Sequence, residues 1–240
     1  MCSVACESDL EENMMSDGFS HSNAFAAVAD EIARSAPKGV LLDLDDTLYA
    51  YGPCHAAGLR RCHERFTAAG GTLSHESFCD HYGAARERVK ETTRGQAASH
   101  SRLLYFQRLL EGLGGRTHIG LTLELETAYW GGFICAIELR PGAREFLETL
   151  RRLGIHTAIV TDLTARIQLE KLDRMGLAKL VDFVVSSEEA GADKPAPAIF
   201  LLALQKLGMK PDEVVLIGDD ADRDGRGGTD LGIRTVIIDK

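Results

Sequence analysis

Five short runs rich in Val, Ile and Leu punctuate the chain: GVLLDLD (39–45), IHTAIVTD (155–162), VDFVVSS (181–187), EVVLIGD (213–219) and IRTVIID (233–239). Each is nearly continuous in apolar residues and too short for a helix, which predicts buried strands. Helical stretches fall between the later runs: 142–153 after Arg140-Pro141, 163–175 closed by Gly176, and 196–207 closed by Gly208. Strand alternating with helix predicts an α/β fold with a doubly wound, mostly parallel five-stranded Rossmann-like core sheet.

Residues 54–138 break this rhythm. CHAAGLRRCHERFTAAG, SHESFCDHYGAARERV and SRLLYFQRLLEGLG carry amphipathic helical patterns, and no convincing strand lies among them. An insertion of about 85 residues far exceeds a strand-to-helix loop and predicts an α-helical cap subdomain. The expected organisation is an N-terminal tail and helix over 1–36, the helix itself over 21–36, a core from 37–53 and 139–240, and the cap from 54–138.

Composition narrows the function classes. With 45% hydrophobic residues among 240, the chain has material for a real core, and a formal net charge of -9 leaves no basic stripe for a nucleic-acid backbone. The acidic start MCSVACESDLEENMMSDGFS does not resemble a secretory signal, and no apolar run reaches a membrane span. A cytoplasmic protein with a frayed N-terminal tail and no nucleic-acid or membrane partner is expected, as a monomer or homodimer. Six cysteines, at positions 2, 6, 54, 62, 79 and 135, form no CxxC pair and read as reduced thiols. Cys54, Cys62 and Cys79 do crowd with His55, His63, His75 and His81, but at no spacing of a zinc finger or ribbon, so they read as ordinary cap-helix residues.

In an open α/β sheet ligands bind beyond the carboxyl ends of the strands. Those ends carry Asp43-Leu44-Asp45-Asp46-Thr47, Thr161-Asp162, Lys194 before Pro195, and Gly218-Asp219-Asp220, with Asp224 close behind. Converging carboxylates repel unless a cation is present, and magnesium, which favours carboxylate, phosphate and water oxygens, is the natural one. Asp43 is then placed to attack phosphorus as a nucleophile. Asp45, on the same side of an extended chain, can serve as general acid and then base. Thr161 and Lys194 would hold the phosphoryl oxygens. Taken singly, Thr161 also reads as a helix N-cap and Lys194 as a loop lysine. Asp220 to Gly225 matches the first half of a calcium loop, but Leu231 stands where a bidentate Glu is needed. Gly225, Gly227 and Gly228 belong to no phosphate-loop pattern and read as turn residues.

The ordered segments DLDDT (43–47), VTD (160–162), DKP (193–195) and GDDADRD (218–224) resemble the four motifs of the haloacid dehalogenase superfamily. The resemblance implies Asp43 as nucleophile and metal ligand, Asp45 as acid/base binding metal through its carbonyl, and Asp219 as the remaining protein ligand. It places Asp224 behind them, orienting Lys194 or a metal-bound water. Asp162 and Asp220 stand in that outer layer where relatives often have Asn and Ser. A helical insertion after the first motif is similar to the cap of the family's first subclass.

The expected activity is magnesium-dependent hydrolysis of a small phosphomonoester through an aspartyl-phosphate. Three rivals remain at this level: a 2-haloacid dehalogenase, a phosphosugar mutase, and a receiver-like phospho-acceptor module. Asp45 argues against the first, since attack on carbon needs no proton donor for an alcohol. Within the cap, Arg94, His100 and Arg102 are candidates for contacting a small phosphorylated metabolite.

Overall fold

The computed structural model describes residues 24–239, so the expected tail, with Cys2 and Cys6, lies outside the described residues. Strands β1 (Gly39–Leu42), β2 (His156–Thr161), β3 (Phe183–Ser186), β4 (Val214–Gly218) and β5 (Arg234–Ile237) form one sheet in the order β3-β2-β1-β4-β5. All neighbouring pairs are parallel. The chain moves outward from β1 through β2 to β3, then crosses back to β4 and β5, so the direction of winding reverses between β1 and β4. That is where such sheets open a ligand crevice.

Alternation along the strands feeds two cores. Val40 and Leu42 face one cluster with Phe25, Val28 and Ile32 of α1 (Ala24–Ser35) and Phe146, Leu147 and Leu150 of α6 (Ala143–Arg152). Leu41 faces the other, with Ile199, Phe200, Ala203 and Leu204 of α9 (Pro197–Leu207). Burial on both faces explains why β1, β2 and β4 read as apolar runs. The strands are shorter than the runs because the last residues leave the ladder. Asp43 N still donates to Ile217 O at 2.9 Å, and beyond it the chain turns into a loop in which Asp46 has φ 63°. Asp tolerates this left-handed conformation better than a branched residue would.

The insertion is entirely helical: α2 (Tyr51–Ala68), α3 (His75–Thr93), a 3-10 turn at Ala97–His100, α4 (Arg102–Gly114) and α5 (Ile119–Cys135). Its first helix starts three residues ahead of the expected boundary at 54. Ser74 and Ser101 cap α3 and α4 by accepting from Ser77 N and Leu104 N. No clean amphipathic pattern announces α5, because it packs against α2, α4 and, on the core side, α7 (Ala165–Arg174), and so buries residues around its circumference. The two linkers to the cap lie side by side. Tyr49 bridges to Leu139, and Arg140 donates to Asp46 O at 2.9 Å.

Candidate active site

The register puts Leu42, Ile159 and Ile217 level with one another, so the chain leaves β1, β2 and β4 at one edge. Asp43, Thr161, Lys194, Asp219 and Asp224 all line one cavity there. Lys194 is its centre. Its ammonium is buried and donates to Asp43 Oδ1 at 2.5 Å and Asp224 Oδ1 at 2.8 Å. Burial alone would favour the neutral amine, but Asp43, Asp224 and Asp162 reverse that and hold Lys194 above its ordinary pKa. Burial also pushes the Asp43 carboxyl well above the usual carboxylate range, with Lys194 pulling it back and Asp224 adding to the rise.

Asp43 Oδ2 lies 2.9 Å from Thr47 Oγ1, which is itself 3.2 Å from Asp219 Oδ1, so one hydroxyl spans the ends of β1 and β4. Asp43, Asp219 and Asp224 each present a carboxylate oxygen within 4.8 Å of the others. Hard oxygen donors at that spacing, in a buried place with one shared ammonium, fit a small divalent cation. Gly218 makes this packing possible: a Cβ there would stand 2.3 Å from Asp224 Oδ2.

The outer acidic residues brace the loops. Asp162 Oδ1 accepts from Lys194 N at 2.8 Å, and its Oδ2 lies 3.2 Å from Arg223. Asp220 caps the turn Ala221–Arg226, accepting from Asp222 N and Arg223 N, which is a local capping role and not a calcium loop. Thr161 does not cap a helix: Thr164 holds the N-cap position of α7, and Thr161 Oγ1 accepts from the buried Gln168 at 2.5 Å. Gly227 and Gly228 are not turn glycines of positive φ either. A Cβ at each would meet Phe200 or Leu216, so both permit close packing under the site.

Asp45 accepts from Lys171 at 2.7 Å and from the Tyr49 hydroxyl. Burial acts to raise the Asp45 pKa, but Lys171 and Tyr49 overcome it and keep the carboxyl below its ordinary value. The buried Lys171 of α7 also sits 5.1 Å from the ring centre of Phe133 in α5, so the core acid is tied to the cap by one side chain. Sequence reasoning missed Lys171, although Ile167, Lys171 and Met175 share one helix stripe whose apolar members are buried. Gln168 was missed as well, since it reaches Thr161 from inside α7, where the packing decides which face of the helix meets the sheet.

The cap forms the facing wall of the cavity, whose volume is about 210 Å³. His100 and Arg102 line it, and His100 Nε2 and Ser99 Oγ both meet Asp193 Oδ2 at 3.1 Å, latching the cap turn to the core loop. Arg94 does not line it. The helix stops at Thr93, Arg94 takes an extended conformation with ψ 133°, and its side chain is exposed. Lys90 and Arg86, one and two turns earlier on α3, line the cavity instead, together with Tyr51, Tyr105 and Arg223. The zinc-like histidines have other partners: His55 Nδ1 meets the Tyr129 hydroxyl at 2.6 Å and His63 Nε2 meets Leu73 O at 2.9 Å. Cys54, Cys62, Cys79 and Cys135 are free thiols. Among the described residues no helix is long and apolar enough to cross a membrane.

A carboxylate edge at a winding reversal, with a lysine among the carboxylates and a helical lid inserted after β1, defines a class of capped α/β hydrolases. The chain belongs to the haloacid dehalogenase-like hydrolase family, whose model matches residues 37–232, and to its phosphatase branch. It is 46% identical over 200 residues to a ribulose-1,5-bisphosphate 5-phosphatase of Halopiger xanaduensis, covering 83% of this chain and 84% of that protein. It is 35% identical to a glyceraldehyde 3-phosphate phosphatase of Methanopyrus kandleri, over 84% of this chain and 83% of the other. The fold matches that of a 2-haloacid dehalogenase from Pseudomonas syringae with TM-score 0.70 at 23% identity, over 84% and 86% of the two chains.

Proposed function

We propose that this enzyme hydrolyses the phosphate ester of a small phosphorylated sugar, with Asp43 as nucleophile, Asp45 as acid and base, and Asp43, Asp219 and the Asp45 carbonyl holding magnesium. The carrying observation is the Lys194 ammonium shared by Asp43 and Asp224 beside Asp219 at the sheet edge. A bound divalent cation supplies charge neutralisation for the carboxylates and the phosphoryl oxygens. The likeness to sugar-phosphate phosphatases, 46% identical in one case, supports the substrate class and makes a ketopentose bisphosphate the first candidate. An acidic chain with no candidate membrane helix among its described residues fits action in the cytoplasm, as a monomer or homodimer.

The residues divide the reaction as follows. An Asp43 carboxylate oxygen attacks phosphorus while the ester P–O bond breaks, and the leaving alkoxide takes a proton from Asp45. Lys194 and Thr161 hold the phosphoryl oxygens through the charge build-up. Asp45, again a carboxylate, then takes a proton from water as that water attacks phosphorus, and the bond to Asp43 breaks to release inorganic phosphate. Lys171 and Tyr49 favour the ionised form of Asp45 that this second half needs.

Phosphate release measured over a panel of sugar mono- and bisphosphates, with magnesium and with excess EDTA, tests the proposal. Turnover confined to the magnesium arm is expected. Chloride release from a 2-haloacid in EDTA, with no phosphate release in either arm, would overturn it.

A further inference from the structure

The two walls of the cavity differ in charge. Its seven lining carboxylates, Asp43 to Asp224 in sequence, all belong to the core. The cap side contributes cations: Arg86 and Lys90 on α3 and Arg102 at the start of α4, with Arg223 reaching in from the core rim. Arg86 and Lys90 are four apart, a spacing at which like charges repel. Among the described residues Lys90 has no ion pair or hydrogen bond, and the one ion pair of Arg86 is with its neighbour Glu87, at 3.1 Å in solvent, with the Tyr105 hydroxyl beside it in the cavity wall. Arg102 is 7% exposed, yet among the described residues no carboxylate stands within ion-pair distance of it. Its guanidinium donates to His100 O and the Tyr51 hydroxyl, its Nε has no partner, and the rings of Tyr51, Tyr105, Tyr129 and Trp130 surround it, the last 4.9 Å away.

Rings and a carbonyl compensate a buried guanidinium only in part. The surplus positive field reaches its neighbours. Burial, then Arg102 and Arg86, push the His55 imidazole down to about 4, and burial followed by Arg86 holds Lys90 below its ordinary value. A carboxylate on a ligand brings one charge and two oxygens to these cations. A phosphate, with three oxygens and close to two charges, accepts from several at once.

We propose that Arg86, Lys90 and Arg102, with Arg223 at the rim, form a second anion subsite that holds the non-reacting phosphate of a bisphosphorylated small sugar. This rests on the phosphatase reading of the core edge, where the other phosphate is transferred. The subsite fixes which end of the substrate faces Asp43, so it sets selectivity and orientation while the core does the chemistry.

The test compares ribulose 1,5-bisphosphate with ribulose 5-phosphate as substrates of the magnesium-loaded full chain and of its Arg86→Gln/Lys90→Gln variant. The ratio of kcat/KM for the bisphosphate over the monophosphate is expected to fall by about thirtyfold or more in the variant, through KM, since two charge-assisted contacts are lost for one substrate only. The charge-keeping Arg86→Lys variant should recover most of it. An unchanged ratio, or an equal loss for both substrates, overturns the subsite. Should the wild-type chain release phosphate from neither, the phosphatase reading of the core edge fails for these two sugars, and calorimetric titration of the Asp43→Asn chain with them decides the subsite alone. Binding of the bisphosphate about tenfold tighter, lost on adding Arg86→Gln/Lys90→Gln, supports it. Equal affinities sink it.

Discussion

At the carboxyl edge of the sheet Asp43, Asp45, Asp162, Lys194 and Asp224 are each held by another charged side chain, whereas on the facing wall of the cap, among the described residues, Lys90 has no ion pair or hydrogen bond and Arg102 is held only by rings, a hydroxyl and a carbonyl. Two carboxylates clamp Lys194, Lys171 and Tyr49 clamp Asp45, and Thr47 ties Asp43 to Asp219. The core edge is thus organised before a ligand arrives, which is what stabilising a transition state requires. The cap wall keeps charge that a ligand completes, which is what selecting among substrates requires.

If the contrast is right, the largest loss comes from the core. Asp43→Asn keeps the shape of the side chain and removes its nucleophilic charge, so kcat should drop by about four orders of magnitude with the fold intact. Phosphate release and circular dichroism check both halves. A variant within about tenfold of wild type would mean that another group attacks phosphorus.

Lys194→Met comes next, and it separates clamping from catalysis. Removing the ammonium leaves Asp43 and Asp224 facing each other in a buried place, and about 3 kcal/mol of stability should go with it in metal-free buffer. Urea unfolding at neutral pH reads this out. A loss below about 0.5 kcal/mol would show that the two carboxyls already share a proton without the lysine.

The same contrast explains what the sequence disclosed. Strands β1, β2 and β4 are buried on both faces, so they stood out as apolar runs, and the residues just past Leu42, Thr161 and Gly218 sit at fixed offsets from them. Position along the chain nearly determines position in space there, and Asp43, Thr161, Asp219 and Asp224 were legible for that reason. Lys171 was not, because it reaches Asp45 from a helix whose rotation on the sheet only the packing decides. In the cap the difficulty is greater. Which face of α3 looks into the cavity depends on how α2, α4 and α5 stack on one another, and α5 itself showed no amphipathic stripe. His100 and Arg102, named with Arg94 only as cationic or polar residues in a turn between predicted cap helices, line the cavity, with His100 meeting Asp193 of the core.

Lys171→Met probes the join between the two regions with a smaller effect. Burial acts to raise the Asp45 pKa and Lys171 is the first of the groups that lower it, so the wild-type carboxyl is depressed. A depressed carboxyl stays ionised down to a lower pH. Without the lysine, Asp45 takes up its proton at higher pH, and the range in which it can act as base shrinks from the acid side. The acid limb of the kcat profile should therefore move to higher pH, with the loss greatest on the acid side and fading as the pH rises. A uniform loss at all pH values would mean that Lys171 only positions Asp45 and the cap helix.

The smallest effect belongs to Arg94. By helical spacing it continues the line from Arg86 through Lys90, and on an uninterrupted α3 it would stand one turn further along the same face. The helix ends at Thr93, however, and the chain extends at Arg94 and turns at Gly95 with φ 77°, which carries the side chain out into solvent. Charge on the cap matters in this account only where the packing aims it at the cavity. Arg94→Ala should therefore shift KM for any phosphorylated sugar by less than about twofold, a screened long-range contribution, while Lys90→Gln shifts KM for a bisphosphate several-fold more. Equal effects at the two positions would mean that the cap attracts its substrate by diffuse positive charge, and the distinction between a built wall and a charged surface would collapse.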